Sequence, residues 1–286
     1  MIHIQGIFYI MKLFENDYSL LDQPGVTQFL FHPRKDMAQP SLESLDCFVP
    51  VEKEITVNVR FHMDKSDSPN IIFFHGNGEI VSDYDDLAPM YHQFELNFIA
   101  ADYRGYGKST GNPTASSMIA DAHTIFKFVK DWLKKNDFVG PIIIMGRSLG
   151  SAPALEIAAN YSADIAGLII ESGFSSTVKL LKRLGIPAAQ MGISEQHGFN
   201  NLMKITHFAK HTLIIHAQHD VIIPISDAEN LQSHCGARSK QFQMVPGADH
   251  NNILMVAGRT YFEMIQAFTN KIQGKRIKKF FRKKNP

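Results

Sequence analysis

The order of apolar runs along this chain predicts an α/β domain built on a mostly parallel sheet with flanking helices. Two observations carry that expectation. First, short continuous apolar runs recur: IIFF at 71–74, FIAA at 98–101, IIIM at 142–145, GLII at 167–170 and LIIH at 213–216. Four apolar residues without polar alternation read as a strand covered on both faces, as in a parallel sheet. Second, segments of helical length separate most of these runs, so strand and helix alternate over the greater part of the chain. Crossovers between parallel neighbours are expected to be right-handed.

At 286 residues the chain is long enough for one large domain or two small ones. A hydrophobic fraction of 44% with 20% charged residues suits a buried core and argues against a disordered chain. Cys47 and Cys235 are the two cysteines, too few for a disulfide framework, and a reducing compartment is the simpler expectation. The N-terminal run MIHIQGIFYIMKLF is apolar but shorter than the ~20 residues a spanning helix needs. It has no basic start or small-residue cleavage site, so a signal peptide is not expected. Residues 1–40 are read as an N-terminal extension packing on or preceding the core, 41–274 as the main domain, and 275–286 as a basic tail.

The individual elements follow in chain order. EITVNVRFH at 54–62 alternates apolar and polar residues, predicting a half-exposed strand. TASSMIADAHTIFKFVKDWLKKN at 114–136 predicts a helix. Met118, Ala122, Ile125, Phe126, Val129 and Trp132-Leu133 form one stripe, and Lys134 and Lys135 suit the negative end of its dipole. Residues 175–211 contain no strand signal and are read as a short insertion over a pocket at the strand ends. Leu184, Ile186 and Met191, with Leu180 and Leu181, are the candidates to line it.

Chemistry enters at GRSLG, residues 146–150, between the IIIM run and a small-residue segment. G-x-S-x-G between a buried strand and a helix fits a strained turn that lifts Ser148 out as a nucleophile. The helix is expected to begin near Ser148, and Pro153 is expected to disturb its start. A serine needs a base, and the base needs an orienting acid. Downstream, HTLIIHAQHDVIIP places Asp220 just past a strand, and QFQMVPGADHNN places His250 past another. Glu171 and Asp249 are rivals for the acid, and His216, His219 and His234 for the base. An oxyanion hole needs two N–H donors. One is expected from Leu149, the residue after the nucleophile. The other is expected from the HGNG loop at 75–78, with Asn77 preferred and Gly76 its rival. Arg104, Gly105 and Gly107 in DYRGYGKSTG read as a tight structural loop at the rim of the site. Neither a phosphate loop nor a dinucleotide fingerprint is present. No CxxC pair or H-E-x-x-H appears, so no metal or other cofactor is expected.

Taken together, FFHGNG, DYRGYGKSTG, GRSLGSAPA, HDVIIP and GADHN, in this order, resemble the α/β-hydrolase superfamily. More narrowly, the chain resembles its short-capped serine hydrolases, which include protein depalmitoylase-like and monoacylglycerol-lipase-like enzymes. The resemblance spans about residues 50–270 and implies an α/β-hydrolase fold. It also implies a Ser148–His250–Asp220 triad acting through an acyl-enzyme on an acyl ester or thioester. A serine peptidase or amidase, and a non-catalytic binding protein, are the other classes the fold admits. Pro153 departs from the pattern, as does the lack of a cysteine-rich N-terminal segment. In the tail KRIKKFFRKKNP, seven cations interleave with Ile277, Phe280 and Phe281. Such a segment suits an anionic membrane surface; nucleic acid is the less favoured partner. A cytoplasmic protein, peripheral to membrane through this tail, is the expectation for location.

Overall fold

A computed structural model describes residues 16–37 and 44–275. The apolar segment 1–15 and the tail from 276 lie outside the described residues. The strands are β1 (Leu45–Glu52), β2 (Ile55–His62), β3 (Asn70–Phe74), β4 (Asn97–Ala101), β5 (Ile142–Arg147), β6 (Gly167–Glu171), β7 (His211–Ala217) and β8 (Lys240–Val245). The helices among the described residues are α1 (Pro24–Leu30), α2 (Ala88–Gln93), α3 (Ala115–Lys135), α4 (Ser151–Asn160), α5 (Thr177–Arg183), α6 (Asn201–His207), α7 (Ile225–His234), α8 (Ile253–Ala257) and α9 (Arg259–Ile272). The eight strands form one sheet in the order β1-β2-β4-β3-β5-β6-β7-β8. β2 pairs antiparallel with β1 and with β4, and the remaining pairings are parallel. Each apolar run lies within a parallel strand. This is the α/β-hydrolase fold, a mostly parallel sheet flanked by helices.

Successive side chains of a strand point to opposite faces, and the two faces are both apolar here. Ile72, Phe74 and Ile144 join one buried cluster with residues of α3, α4 and α7. Ile71, Phe73, Ile143 and Met145 join the other with α2 and α9. Tyr18, Leu21, Val26, Leu30 and Phe31 also belong to the first cluster, so the described part of the N-terminal extension contributes to the core.

α3 shows how locally the sequence specifies its helix. Thr114 Oγ1 accepts the Ser117 N–H at 3.0 Å and Ser117 Oγ accepts the Thr114 N–H at 2.8 Å, a reciprocal cap that satisfies two orphan donors. Thr114→Ala is expected to cost about 1 kcal/mol. Differential scanning calorimetry checks it as a fall in Tm of about 2–4 °C, given the size of the domain.

β2 departs from the sequence expectation. Its alternation predicts an exposed polar face, yet every residue from Val57 to His62 is buried. The polar face is covered because its charge is neutralised in place. Arg60, with a fully buried side chain, binds Asp46 through Nε at 2.6 Å and Nη2 at 2.8 Å, and Asp85 through Nη1 at 2.7 Å. Asp36 lies 3.8 Å away. A guanidinium so enclosed reads in sequence like a solvated residue.

The strand order also sets where a site forms. After β3 the chain moves to β4 on one side, then crosses to β5 on the other. At such a reversal the loops leaving the two central strands diverge and open a crevice at their carboxyl ends. The loops that leave β3 and β5 carry His75–Gly78 and Ser148.

Candidate active site

β5 runs into Ser148, whose φ is 51°. A left-handed backbone at a non-glycine residue costs ~1–3 kcal/mol and persists only where its surroundings enforce it. The flanking glycines are required sterically. A Cβ on Gly150 would lie 2.0 Å from the Phe74 carbonyl oxygen, and one on Gly146 would lie 2.2 Å from the Gly150 carbonyl oxygen. Ala154 also borders the Gly146 position, so small residues let the helix approach the sheet. Ser148–Gly150 form a 3₁₀ turn, and the α-helix proper starts at Ser151. Pro153 is thus the third residue of α4, inside the first turn, where its missing N–H has no intrahelical partner to lose. The expected disturbance of the helix start does not arise.

Two further loops converge on this serine. β7 ends at Ala217, and the loop beyond it carries Asp220; β8 ends at Val245, and the loop beyond it carries His250. His250 Nε2 lies 3.0 Å from Ser148 Oγ, and His250 Nδ1 lies 2.7 Å from Asp220 Oδ2. Asp220 Oδ1 accepts the N–H groups of Ile222 and Ile223 at 3.0 and 2.8 Å. Burial alone would raise the Asp220 carboxyl, but the His250 bond and the Ile223 N–H outweigh it and hold it below the usual carboxylate range. Ser148, His250 and Asp220 are each less than 10% exposed, so little water competes for these bonds.

The rivals have other hydrogen-bond partners or face solvent. Glu171 binds Arg147 at 3.0 Å and the Tyr261 hydroxyl at 2.5 Å. Asp249 accepts the Asn251 N–H within its own turn. His216 Nε2 lies 2.7 Å from the Ile223 carbonyl, and burial pushes its imidazole down. His219 and His234 are exposed.

The HGNG loop reaches the same place. The Gly76 N–H is taken by Glu79 Oε2 at 2.7 Å, and Asn77 borders the cavity beside Ser148 and Leu149. The Asn77 side chain is pinned from behind. Its Oδ1 accepts from the Tyr106 hydroxyl at 2.6 Å and from the His32 N–H at 2.8 Å. The loop containing Arg104, Gly105 and Gly107 supplies this support. Arg104 is clamped by Asp121 and Glu52, and Tyr103 donates to the His75 carbonyl at 2.7 Å. A Cβ on Gly107, where φ is 53°, would lie 2.2 Å from Asp102 Oδ2.

A cavity of about 210 Å³ opens above Ser148, walled by Leu30, Leu180, Leu184, Ile222 and Ile223. Of the five lining candidates, Leu180 and Leu184 are there, and Leu181 is buried in the core. Ile186 is not there: it is 2% exposed and lies within the core. Met191 is not either, because it packs against the core, with its methyl group 3.5 Å from a Cβ position at Gly25. In the insertion, the last turn of α5 reaches the cavity through Leu180 and Leu184. Ile222 and Ile223 had a visible signal, the apolar run directly after Asp220. Leu30 had none, since it arrives from far upstream on α1.

Comparison with known proteins finds the same fold among hydrolases. The family described as serine aminopeptidase, S33, matches residues 66–195, which include the HGNG loop and Ser148 but neither Asp220 nor His250. Human alpha/beta hydrolase domain-containing protein 17B is 29% identical over 215 residues, covering 71% of this chain and 68% of that protein. Protein bem46 of Schizosaccharomyces pombe is 25% identical over 207 residues, covering 70% and 67%. Among solved structures, the Pyrococcus furiosus esterase Pf2001 superposes with a TM-score of 0.68 at 16% identity, over 84% of this chain and 98% of that one. A Paleococcus ferrophilus monoacylglycerol lipase gives 0.59 at 15% identity, over 76% and 99%. Sheet order, elbow and converging loops define a hydrolase of the α/β class. The chain has the α/β-hydrolase fold and is similar in sequence to hydrolases of that superfamily.

Proposed function

We propose that this hydrolase cleaves carboxylic esters or thioesters of acyl chains, with Ser148 as nucleophile, His250 as general base and acid, and Asp220 orienting the imidazole. The observation that carries the reading is the unbroken relay, 3.0 Å from Ser148 Oγ to His250 Nε2 and 2.7 Å from His250 Nδ1 to Asp220 Oδ2, at the base of a cavity with apolar walls. Ser148 Oγ attacks the carbonyl carbon while His250 takes its proton. The tetrahedral oxyanion is held by the N–H groups of Asn77 and Leu149, each worth about 3 kcal/mol of barrier. His250 returns the proton to the departing alcohol or thiol, leaving Ser148 acylated. Water, deprotonated by His250, then releases the acid. Asp220 stays ionised throughout and fixes the Nδ1–H tautomer.

Leu30, Leu180, Leu184, Ile222 and Ile223 suit an acyl chain and disfavour a highly charged one. The names of the two solved relatives, an esterase and a monoacylglycerol lipase, support acyl esters. The serine aminopeptidase description of the matching family favours a second reading, amide or peptide cleavage by the same residues. Hydrolysis of p-nitrophenyl esters of graded chain length, beside aminoacyl-nitroanilides, separates the two. The expected result is a maximum at an intermediate or long acyl chain with little turnover of the anilides; the reverse profile rejects the ester reading. A fluorophosphonate probe is expected to label wild type and not Ser148→Ala, and equal labelling rejects Ser148.

In the same reading residues 175–211 act as a short cap over the acyl site. The tail 275–286 holds a cytoplasmic protein at anionic membrane, with ~1 kcal/mol from each cation near the surface. Among the described residues no helix is long and apolar enough to cross a membrane. Phosphatidylserine liposomes are expected to retain the full chain more strongly than a chain ending at 274; equal retention rejects the tail as an anchor.

A further inference from the structure

The geometry points to Arg147 as a positioning residue for the reaction proposed above, a reading on which this inference rests. One guanidinium ties together the loop bearing the Asn77 donor, the turn bearing Ser148 and the loop bearing His250. Arg147 is the last residue of β5 and immediately precedes Ser148. Its side chain is 13% exposed. It lines both the cavity above Ser148 and a neighbouring cavity of about 220 Å³ that includes Tyr84, Tyr91 and Tyr261.

Each guanidinium nitrogen has a separate task. Nη1 binds Oε1 of Glu79. The other oxygen of Glu79 accepts the Gly76 N–H at 2.7 Å and the Tyr84 hydroxyl at 2.7 Å, so this carboxylate fixes the His75–Gly76 peptide, one residue ahead of the Asn77 N–H. Nε binds Glu171 at 3.0 Å, and the second oxygen of Glu171 is anchored by Tyr261 at 2.5 Å. Nη2 donates to the backbone carbonyl of His250 at 2.8 Å. That bond holds the base from its main chain, while Asp220 holds it from the ring.

Contact between guanidinium and loop is close. A Cβ on Gly76 would lie 2.8 Å from Nη1. The hydrogen bonds of Arg147 go to Glu79, Glu171 and the His250 backbone, not to the Ser148 hydroxyl or the His250 ring, so it acts through other groups. A planar fork with fixed donor directions serves three such partners at once, whereas a lysine ammonium is a single point charge that does not reproduce the fork. Both carboxylates are spent on this task, and neither remains to act as the triad acid.

The test uses the full chain and the best p-nitrophenyl ester, with Arg147→Met, Arg147→Lys and Glu79→Gln. Arg147→Met is expected to lose roughly 10²-fold in kcat, the penalty for displacing reacting groups by about an ångström, while KM stays within about threefold. Arg147→Lys is expected to recover only part of that loss. Glu79→Gln is expected to fall in the same direction. The double variant Arg147→Met/Glu79→Gln is expected to lose no more than the worse single one, because the two residues act as a unit. The rate of fluorophosphonate labelling is expected to fall in step with kcat, all rates being read below each variant's melting temperature.

Rates for Arg147→Met within about threefold of wild type, a loss confined to KM, or full recovery in Arg147→Lys would overturn the inference. If Arg147→Met does not fold, Arg147→Lys and Glu79→Gln decide it by the same criteria, wild-type rates in both overturning it. Ser148→Ala separates the two levels. Full activity in that variant removes the serine reading together with this inference, whereas an inactive Ser148→Ala beside a wild-type Arg147→Met removes this inference alone.

Discussion

Asp220→Asn is expected to lower kcat by about four orders of magnitude with little change in KM. The substitution keeps the shape of the side chain but alters what it offers His250. The Asp220 carboxylate accepts two backbone N–H bonds on Oδ1, from Ile222 and Ile223, and faces His250 Nδ1 with Oδ2. In asparagine the N–H bonds of the loop hold the carbonyl oxygen on the Oδ1 side. The NH₂ group then points at Nδ1, forces that nitrogen to accept, and leaves the proton on Nε2, where Ser148 needs a base. The positive imidazolium also loses its counter-charge. Steady-state kinetics on the best ester checks the loss, and a thermal melt within a few degrees of wild type separates it from unfolding. A fall of less than about tenfold would remove Asp220 from the relay.

Arg60→Met is the largest expected effect on stability, a loss of about 3–5 kcal/mol, because it strands buried carboxylates without their counter-charge. The Arg60 side chain is fully buried, and Asp46 and Asp85 are 12% and 17% exposed. Burial tends to raise the Asp46 carboxyl, but its bonds to Arg60 outweigh this and hold it below the ordinary value. For Asp85 burial prevails over its single Arg60 bond and the carboxyl is raised. Equilibrium unfolding in urea measures the loss. A value under about 1 kcal/mol would place this cluster with ordinary surface ion pairs.

The same face of β2 sets an acid limit. Burial first, then the Arg60 charge, push the His62 imidazole down to about 4 from 6.5. Between these values the unfolded chain binds a proton that the folded chain excludes, so stability falls as pH drops from 6.5 toward 4. The contribution is on the order of 3 kcal/mol. A His62→Phe variant is expected to lose less stability than wild type over that interval in pH-dependent urea titrations.

Much of this was visible before folding, for reasons that differ by element. The parallel strands announced themselves because a strand covered on both faces carries no polar residues to interrupt its run. α3 was legible nearly to its ends, since its stripe and its terminal lysines follow from helical spacing alone. The elbow was legible because the crossing backbone at Gly146 and Gly150 excludes any side chain. Asp220 and His250 could be ranked above their rivals because each follows its own strand end, a local property.

Other features were hidden because they depend on residues distant in sequence. Arg60 on an alternating strand resembles any solvent-facing cation until Asp46, Asp85 and Asp36 close over it. Ile186 and Met191 look as suited to an acyl pocket as Leu184 does, since composition is blind to where the chain turns after α5. Leu30 lines the cavity from α1, more than a hundred residues from Ser148. Arg147 occupies the unspecified position of G-x-S-x-G, where the turn itself accepts many side chains. Its three partners come from the loop after β3, the end of β6 and the loop after β8. Ser148, Asp220, His250 and the strands that carry them are thus written in local pattern, because backbone sterics and burial act within a few residues. The cavity wall and the guanidinium that joins the three loops arise where separate strands end side by side, and side-chain packing across the sheet is what places them there.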